Sequence, residues 1–418
     1  MIETKFKNSE VGMIPVDWEN NEVGRIANLI QTGPFGSQLH QSDYITVGIP
    51  VVMPKDLVEG KISDTSIARV SKENVERLKR HKIKEGDFLF ARRGDVGRCA
   101  LISKKEVGWL CGTGCFRVSI DKKKCDINYL YYQLQRKETV EWIVSKAIGS
   151  TMLNLNTSIL SQIPFIQPES IAEQSRIATA LSDIDDIIAT TKKLIEKKRN
   201  IKEGAMQELL SGKRRLPGFK EKWVEGHVSE NVVFYKGTGL SKGKLIPNGK
   251  YPCILYGEIF TMYNYEVTQC VSHTNIYEGT PSVKGDVLMP ASTTTKGIDL
   301  AKAICLYEDD VLLGGDIIIM RNDFGKFYPL FFSYYITEIM PKQVEEVAQG
   351  TTIIHLQPSK VGKLSIRIPT DLKEQKAIAD VLSDMESEIQ VLEKRLVKYQ
   401  SLKLGMMQQL LTGKIRLI

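Results

Sequence analysis

The chain has 418 residues, of which 42% are apolar and 26% charged, and its formal net charge is +7. This composition is typical of a soluble globular protein with room for two domains. It excludes a disordered chain, and it excludes a membrane-spanning one because no apolar run is long enough. Seven cysteines without a C-x-x-C pair, and the lack of a recognisable signal peptide, predict reduced thiols in a cytoplasmic protein. The positive charge permits a polyanionic partner without demonstrating one.

Residues 1–168 predict a first domain of α+β class, built from short strands that turns separate. A glycine-rich loop covers Thr32–Leu39. The clearest strand-like runs and the main helical stretch are Ile49–Met53, Phe88–Ala91, Phe116–Ile120 and Asn128–Ile148. These elements lead into the first of two long helices.

Residues 169–216 predict one continuous helix. Ser170 and Glu173 have the spacing of a capping box, in which the serine accepts from a free backbone N–H and the glutamate reaches back to the cap. Gly212 followed by a lysine is a common helix stop signal. A helix of this length, capped at both ends, is a structural element in its own right.

The chain is an internal duplication. Glu374 repeats Glu173 at an offset of 201 residues, and the gapless alignment of residues 170–216 with 371–417 contains 20 identities in 47 positions. Residues 370–418 therefore predict a second long helix, with Glu374 in a second capping box, and residues 217–369 predict a second domain on the plan of the first.

Apolar residues recur along both long helices with the four-three spacing of a coiled coil. Such a stripe would be exposed on a lone helix, so we expect the two copies to pair antiparallel and to carry the two domains to opposite ends of a rod. The alternative is that each helix packs only on its own domain. The predicted seam residues are Ile177, Leu181, Ile184, Ile188, Leu382, Met385, Ile389, Leu392 and Leu396.

Sequence patterns for catalysis fail one by one. The stretch Gly237–Leu245 has the wrong spacing for a phosphate-binding loop, and Leu245 stands where the Mg²⁺-binding Ser or Thr of such a loop belongs. The acidic residues Asp371 and Glu374 are accounted for by helix capping rather than by a nuclease site. Four cysteines between Cys99 and Cys125 match no zinc spacing, and the histidines are scattered. We therefore expect a chain without catalytic residues and without a metal site.

Residues suited to contacts with phosphates and bases are frequent in the loops of both domains. Hydroxyls and lysines beside glycines allow the backbone to approach phosphates, while Arg and Gln can read base edges. For any single lysine, ordinary solvated surface is the competing interpretation. The predicted DNA-binding residues are Ser37, Gln38, Arg92, Arg93, Lys104, Lys105, Lys242, Lys244, Thr294 and Lys296.

The repeated helical segments resemble the specificity (S) subunits of type I restriction-modification systems. The resemblance lies in Glu173-Gln174, Leu181–Asp183 and Gly204–Lys213, in their second copies, and in the loop Gly33–Ser37. It covers the whole chain by layout, although the second domain has Gly237–Ser241 in place of that loop.

The resemblance implies two target-recognition domains, each reading one half of a bipartite, asymmetric site on double-stranded DNA, with the helix pair as spacer. It also implies two methyltransferase subunits and two restriction subunits as partners. S-adenosylmethionine and ATP with Mg²⁺ are expected in those partners, and no cofactor in this chain. The alternatives are a coiled-coil adaptor whose domains bind proteins and, more remotely, an enzyme with an unrecognised site.

Overall fold

The computed structural model describes residues 5–9, 12–148 and 153–418. The chain forms two compact units, each of which includes parts of both long helices. Unit 1 comprises Met1–Thr191 and Arg395–Ile418, and unit 2 comprises Lys192–Lys394. No helix in the described part of the chain is both long and apolar enough to cross a bilayer.

The helices and strands of the first part of the chain alternate over short distances. They are β1 (Phe6–Ser9), β2 (Gly12–Pro15), β3 (Trp18–Glu22), α1 (Val23–Ile26), β4 (Ala27–Thr32), β5 (Tyr44–Val52), β6 (Leu57–Val58), β7 (Lys61–Ile62), β8 (Ala68–Val70), α2 (Lys72–Arg77), β9 (Phe88–Ala91), β10 (Cys99–Leu101), β11 (Leu110–Cys111), β12 (Cys115–Ile120), α3 (Ile127–Leu134), α4 (Lys137–Lys146), α5 (Thr157–Ser161), β13 (Pro164–Pro168) and the long helix α6 (Ile171–Leu210). The predicted strands at Phe88–Ala91 and Phe116–Ile120 are confirmed. The predicted helix over Asn128–Ile148 is two helices, because Arg136 between them is extended (ψ 140°).

Unit 1 is organised around a sheet with the strand order β10-β9-β12-β4. A second sheet has the order β11-β5-β8, and β3 pairs with β13 just before α6 begins. The sheet strands β9 and β12 contribute Phe88 and Phe116 to a core that also contains Trp18 and Tyr129. The same core includes Leu410, from the far end of the chain.

The second part of the chain repeats this plan. Its elements are β14 (Trp223–His227), β15 (Val233–Lys236), β16 (Tyr251–Ile254), α7 (Tyr256–Thr261), β17 (Glu266–Val267), β18 (Ser272–Thr274), β19 (Thr280–Pro281), β20 (Asp286–Pro290), β21 (Ser292–Thr293), β22 (Ile304–Leu306), β23 (Leu312–Leu313), β24 (Ile317–Arg321), α8 (Pro329–Ile339), α9 (Pro341–Val347), β25 (Ile354–His355), α10 (Pro358–Val361), β26 (Ser365–Pro369) and the long helix α11 (Leu372–Leu410). Its main sheet has the order β15-β24-β20-β22-β17, and β14 pairs with β26 as β3 pairs with β13. The predicted α+β class and the duplication are confirmed.

The long helices run antiparallel where they meet inside each unit. In unit 2, Lys198 pairs with Glu388 (2.8 Å), and Lys202, one turn further along α6, pairs with Glu386, which lies earlier on α11. In unit 1, Lys403 of α11 pairs with Asp185 of α6 (2.6 Å). The predicted antiparallel pair is confirmed. The helices end at Leu210 and Leu410, and the predicted stop glycines Gly212 and Gly413 follow with φ of 69° and 70°.

Apolar residues of the predicted seam are largely withdrawn from water. Ile177, Leu181, Ile184, Ile188, Leu382, Ile389 and Leu392 are buried, and Met385 and Leu396 are half-buried. Ile177 and Leu181 also belong to the core of unit 1, and Leu382 belongs to that of unit 2. Near the helix starts, therefore, the stripe serves the domain core as well as the helix pair.

The start of each long helix is held by an arginine from the segment that follows the other long helix, an arrangement we term the arginine clasp. In unit 1, Arg416 binds the buried carboxylate of Glu173 (Nη2 to Oε2, 2.7 Å) and also binds Asp17. The guanidinium lies 5.7 Å from the ring centre of Trp18. Arg416 holds the pKa of the Asp17 carboxyl below its usual range.

Unit 2 contains the matching clasp, in which Arg215 binds the fully buried Glu374 (Nη2 to Oε2, 2.6 Å) beside Trp223. The Ser170 side chain does cap its helix, since its Oγ accepts from the Glu173 N–H (3.4 Å). The prediction that Glu173 and Glu374 reach back to the cap is wrong. Their carboxylates are occupied by guanidinium groups, which are stronger donors than a neutral N–H.

The repeated glutamine beside each clasp joins three elements. The side chain of Gln174 donates to the Pro168 carbonyl at the end of β13 (2.8 Å) and accepts from the Asp126 N–H that precedes α3 (2.8 Å). Gln375 does the same with Pro369 (2.7 Å) and Tyr328 (2.7 Å). Because both glutamines are fully buried, these bonds satisfy polar groups that would otherwise destabilise the fold.

Candidate nucleic-acid interface

In unit 1, the loops that follow β4 and β9 emerge at the same edge of the main sheet, which we term the loop edge. The Gly33 N–H donates to the Cys115 carbonyl (2.8 Å), and the Arg92 N–H donates to the Gly114 carbonyl (2.7 Å). Both loops therefore flank the first residues of β12. The sheet brings Arg92 and Arg93 to the edge from which the loop of Ser37 and Gln38 departs.

The other lysines predicted in unit 1 lie at the opposite edge of the sheet. Because β10 runs antiparallel to β9, its last residue, Leu101, faces the start of β9. Lys104 and Lys105 follow it in a short 3₁₀ helix, and Lys105 pairs with Asp64 (2.8 Å). The structure therefore does not bring these two lysines together with Arg92.

Unit 2 has a loop edge with the same backbone hydrogen bonds. The Gly237 N–H donates to the Ile317 carbonyl (2.9 Å), and the Ala291 N–H donates to the Asp316 carbonyl (2.7 Å). The exposed residues Thr294 and Lys296 come shortly after Ala291. These two predicted residues lie beyond Ser292, the residue that corresponds to Arg93 in unit 1.

The predicted lysines of the other loop in unit 2 differ in their surroundings. Lys242 is exposed, at the start of a short 3₁₀ helix. Lys244, at the end of that helix, forms an ion pair with Glu278. Lys242 is therefore the more available of the two for a phosphate.

A glycine begins the first loop of each loop edge because the backbone leaves no room for a side chain. A Cβ added to Gly33 would lie 1.8 Å from the Gly112 carbonyl oxygen, and one added to Gly237 would lie 1.9 Å from that of Gly314. Both distances are far below van der Waals contact, so any other residue would displace the loop. The sequences of the two loops differ, but their first residues meet the same requirement.

Among the predicted DNA-binding residues, Arg92 is the one whose guanidinium lies over an aromatic ring within its unit. It is half-buried, its guanidinium lies 5.8 Å from the ring centre of Phe116, and its Nε is buried without a partner among the described residues. Arg93 beside it is exposed. A cation held against an aromatic ring keeps its orientation, whereas an exposed arginine samples many rotamers.

A pocket of about 600 Å³ in unit 2 adjoins the loop that contains Thr294, and a second pocket, of about 640 Å³, lies at the loop edge itself. The polar residues that line the second pocket are Lys236, Asp316, Gln349, His355 and Gln357. None of them was predicted from sequence. One signal was available in the sequence. A residue-by-residue alignment of the two copies at their strand ends would have pointed to Lys236, which ends β15 as Thr32 ends β4.

Residues 5–9, 12–148 and 153–418 contain no cluster of His, Cys, Asp and Glu that could hold a metal ion. The cysteines are buried, and burial raises the pKa of the Cys99 and Cys111 thiols to about 12. A protonated thiol is a poor nucleophile and a poor metal ligand. What the two loop edges offer is hydrogen-bond donors, acceptors and positive charge.

Comparison with known proteins gives consistent matches along the chain. The sequence model of the family described as "Type I restriction modification DNA specificity domain" matches residues 15–197 and 220–398. A Methanocaldococcus jannaschii protein, provisionally described as the MjaX type I restriction enzyme specificity subunit, is 25% identical over 99% of this chain and 97% of its own length. The MjaVIII specificity subunit of the same organism is 24% identical over 99% and 96%.

A solved structure has a similar fold. The crystal structure of a type I restriction-modification S subunit from M. genitalium matches with a TM-score of 0.59 over 97% of this chain and 98% of that one, at 16% identity. At this identity the match concerns the fold alone. It agrees with the duplicated α+β architecture described above.

Proposed function

The chain belongs to the family of type I restriction-modification DNA specificity domains, with two copies of the domain in one chain, and from this premise we propose that it directs such a system to a bipartite DNA sequence. Each domain reads one half-site, and the antiparallel helices set the length of the unread gap. The chain itself contributes no catalytic group.

The observation that carries the proposal is the pair of loop edges. Each is built on the same backbone hydrogen bonds, through Gly33 and Arg92 in unit 1 and through Gly237 and Ala291 in unit 2. The side chains on the two frames differ. Two similar frames with different side chains are suited to two different half-sites, hence to an asymmetric target, whereas identical domains would read a palindrome.

Lysines and exposed arginines near the loop edges have a separate role in this proposal. Contacts from Arg93, Lys242 and Lys296 to phosphates supply sequence-independent affinity and hold the domain in register, while contacts to base edges select the sequence. The affinity should therefore fall steeply as salt concentration rises.

The partners of the chain are two methyltransferase subunits and two restriction subunits. S-adenosylmethionine, and ATP with Mg²⁺, are bound by those partners and not by this chain. The family description, which names a restriction and modification system, supports the two kinds of partner. Placing the chemistry in other subunits is also compatible with loop edges that offer recognition groups only.

The test is to express the full chain together with its methyltransferase subunit and to map methylated bases across the host genome. We expect one split, asymmetric motif with a gap of constant length. The methyltransferase subunit expressed alone is the control and should leave no such motif. Methylation at a palindrome, at scattered sites or at none would contradict the proposal.

A further inference from the structure

The two loop edges can be compared position by position, because matching backbone bonds define which residues correspond. The Leu155 N–H donates to the Arg92 carbonyl (2.9 Å), just as the Leu356 N–H donates to the Ala291 carbonyl (2.8 Å). The residues before these leucines also pair in the same way, Asn154 with Arg93 and His355 with Ser292. The corresponding pairs of most interest are Arg92 with Ala291, Gly114 with Asp316, and Asn154 with His355.

At the position that corresponds to Ala291, the loop edge of unit 1 presents a hydrogen-bond donor, Arg92. The Arg92 guanidinium lies over Phe116, 5.8 Å from the ring centre, and the residue stands where β9 leaves the sheet; the Phe116 side chain itself is buried. The facing residue, Gly114, contributes no side chain. A guanidinium fork held in this way matches the two acceptors, O6 and N7, that guanine shows in the major groove.

The loop edge of unit 2 has the opposite character at the same place. Ala291 offers no hydrogen-bonding side chain, whereas Asp316 is exposed, lines the 640 Å³ pocket and has no ion pair among the described residues. Its φ of 59° lies in the left-handed region, which Gly, Asn and Asp adopt more readily than other residues. The backbone therefore accommodates an aspartate here, and its exposure to the pocket leaves the carboxylate available to a ligand.

A carboxylate on a DNA-binding surface is repelled by phosphates, so it contributes to binding only where it faces a donor. Bases that show an amino group in the major groove, cytosine through N4 and adenine through N6, are such donors. The neighbouring Gln349 and Gln357 are exposed and line the same pocket. They can complete a contact with the same base or its neighbour.

We infer that these corresponding positions decide the base preference of each half-site: Arg92 selects a guanine in the half-site of unit 1, and Asp316 selects an amino-bearing base, cytosine or adenine, in the half-site of unit 2. The inference deepens the proposed function and rests on it. It divides the loop-edge residues into those that read bases and those that contact phosphates. The exposed Arg93 belongs to the second group.

The experiment maps the methylated motif for the wild-type chain and for two variants, each in complex with the methyltransferase subunit. Arg92→Lys keeps the charge but removes the bidentate fork, so the preference for guanine at one position should fall roughly tenfold to a hundredfold. Asp316→Gly removes the acceptor and suits the left-handed φ of this residue, so it should relax one position of the other half-site by a similar factor. In each case the remaining half-site should stay unchanged.

Two control variants separate base reading from general affinity. Arg93→Ala should weaken binding to a wild-type target duplex and lower its salt dependence without changing the motif. Lys105→Ala, at the opposite edge of the sheet, should change neither. Thermal unfolding of every variant alongside the wild type shows whether the fold is retained.

The inference and the proposed function can fail separately. A wild-type chain that gives no split motif contradicts the proposed function. A split wild-type motif that Arg92→Lys and Asp316→Gly leave unchanged at every base overturns the inference alone. The inference is also overturned if the half-site of unit 1 contains no guanine. It is likewise overturned if both variants relax the same half-site.

Discussion

Replacing Arg215 by methionine tests the arginine clasp of unit 2. The arginine binds both oxygens of Glu374, a carboxylate with no exposed surface, and lies 5.9 Å from the ring centre of Trp223. Methionine preserves most of the apolar volume and removes the charge. The Trp223 N–H, at 3.4 Å, would then be the main remaining donor to the Glu374 carboxylate.

An unpaired buried carboxylate is strongly unfavourable, and breaking a buried ion pair destabilises a protein by about 3 to 5 kcal/mol. This is a large part of the roughly 5 to 15 kcal/mol that stabilises a domain. Hydrogen exchange of the β14–β26 ladder, read by mass spectrometry, should accelerate about a hundredfold or more. The β3–β13 ladder of unit 1 should exchange at the wild-type rate.

The neighbouring arginine provides a matched control. Arg214 is largely exposed and contacts the exposed Glu208 at 3.5 Å, so Arg214→Met should change stability by less than about 1 kcal/mol. Adding Glu374→Gln to Arg215→Met removes the orphaned charge and should recover about 2 kcal/mol. Equal effects of the two single variants, or no recovery in the double variant, would refute the reasoning.

Three further predictions concern the helix pair, its end and a buried histidine. Ile389→Asp should destabilise unit 2 by more than about 3 kcal/mol, because Ile389 is 4% exposed and the new charge would be buried. Val391 is 53% exposed, so Val391→Asp should have little effect. Urea unfolding of the two variants measures the difference in stability. Gly413→Ala should destabilise the chain, because Gly413 has φ +70° and an added Cβ would lie 2.4 Å from Pro15. Gly405 lies inside a helix and has open space around it, so Gly405→Ala should stabilise the chain by about 0.5 to 1 kcal/mol. Thermal unfolding that gave both alanine variants the same sign would contradict this. Burial lowers the pKa of His81 to about 4, so between pH 7 and pH 5 the unfolded state takes up a proton that the folded state does not. The free energy of unfolding should therefore fall by about 2 kcal/mol over this range. Urea unfolding at both pH values measures the fall, and His81→Gln should abolish this contribution to it.

Features of the chain that depend on local pattern could be predicted from sequence. The repeat at an offset of 201 residues indicated two copies of one plan, and the four-three spacing indicated paired helices, because apolar periodicity reports which face of a helix is buried. Short apolar runs located the strands β9 and β12. The glycines Gly212 and Gly413 marked the helix stops, since each follows the last helical turn with a positive φ, as a C-terminal capping glycine does.

The candidate site was predicted only in part. Arg92 and Arg93 lie at the loop edge, but Lys104 and Lys105 lie at the other side of the sheet, because strand direction and sheet order decide which loops become neighbours. Asp316 was not predicted, since an isolated acid in a glycine-rich turn has no distinguishing pattern.

Only the tertiary structure decided which side chains the repeated glutamates bind, because their binding partners lie far away in the sequence. Glu173 and Glu374 have the spacing of a capping box, and sequence alone assigned them that role. In the folded chain Glu173 meets Arg416, which lies 243 residues away, and Glu374 meets Arg215, 159 residues away. Sequence determined that the two glutamates are equivalent, because the duplication repeats them; folding determined which group each carboxylate binds, because a buried charge is satisfied by the strongest donor that packing brings to it.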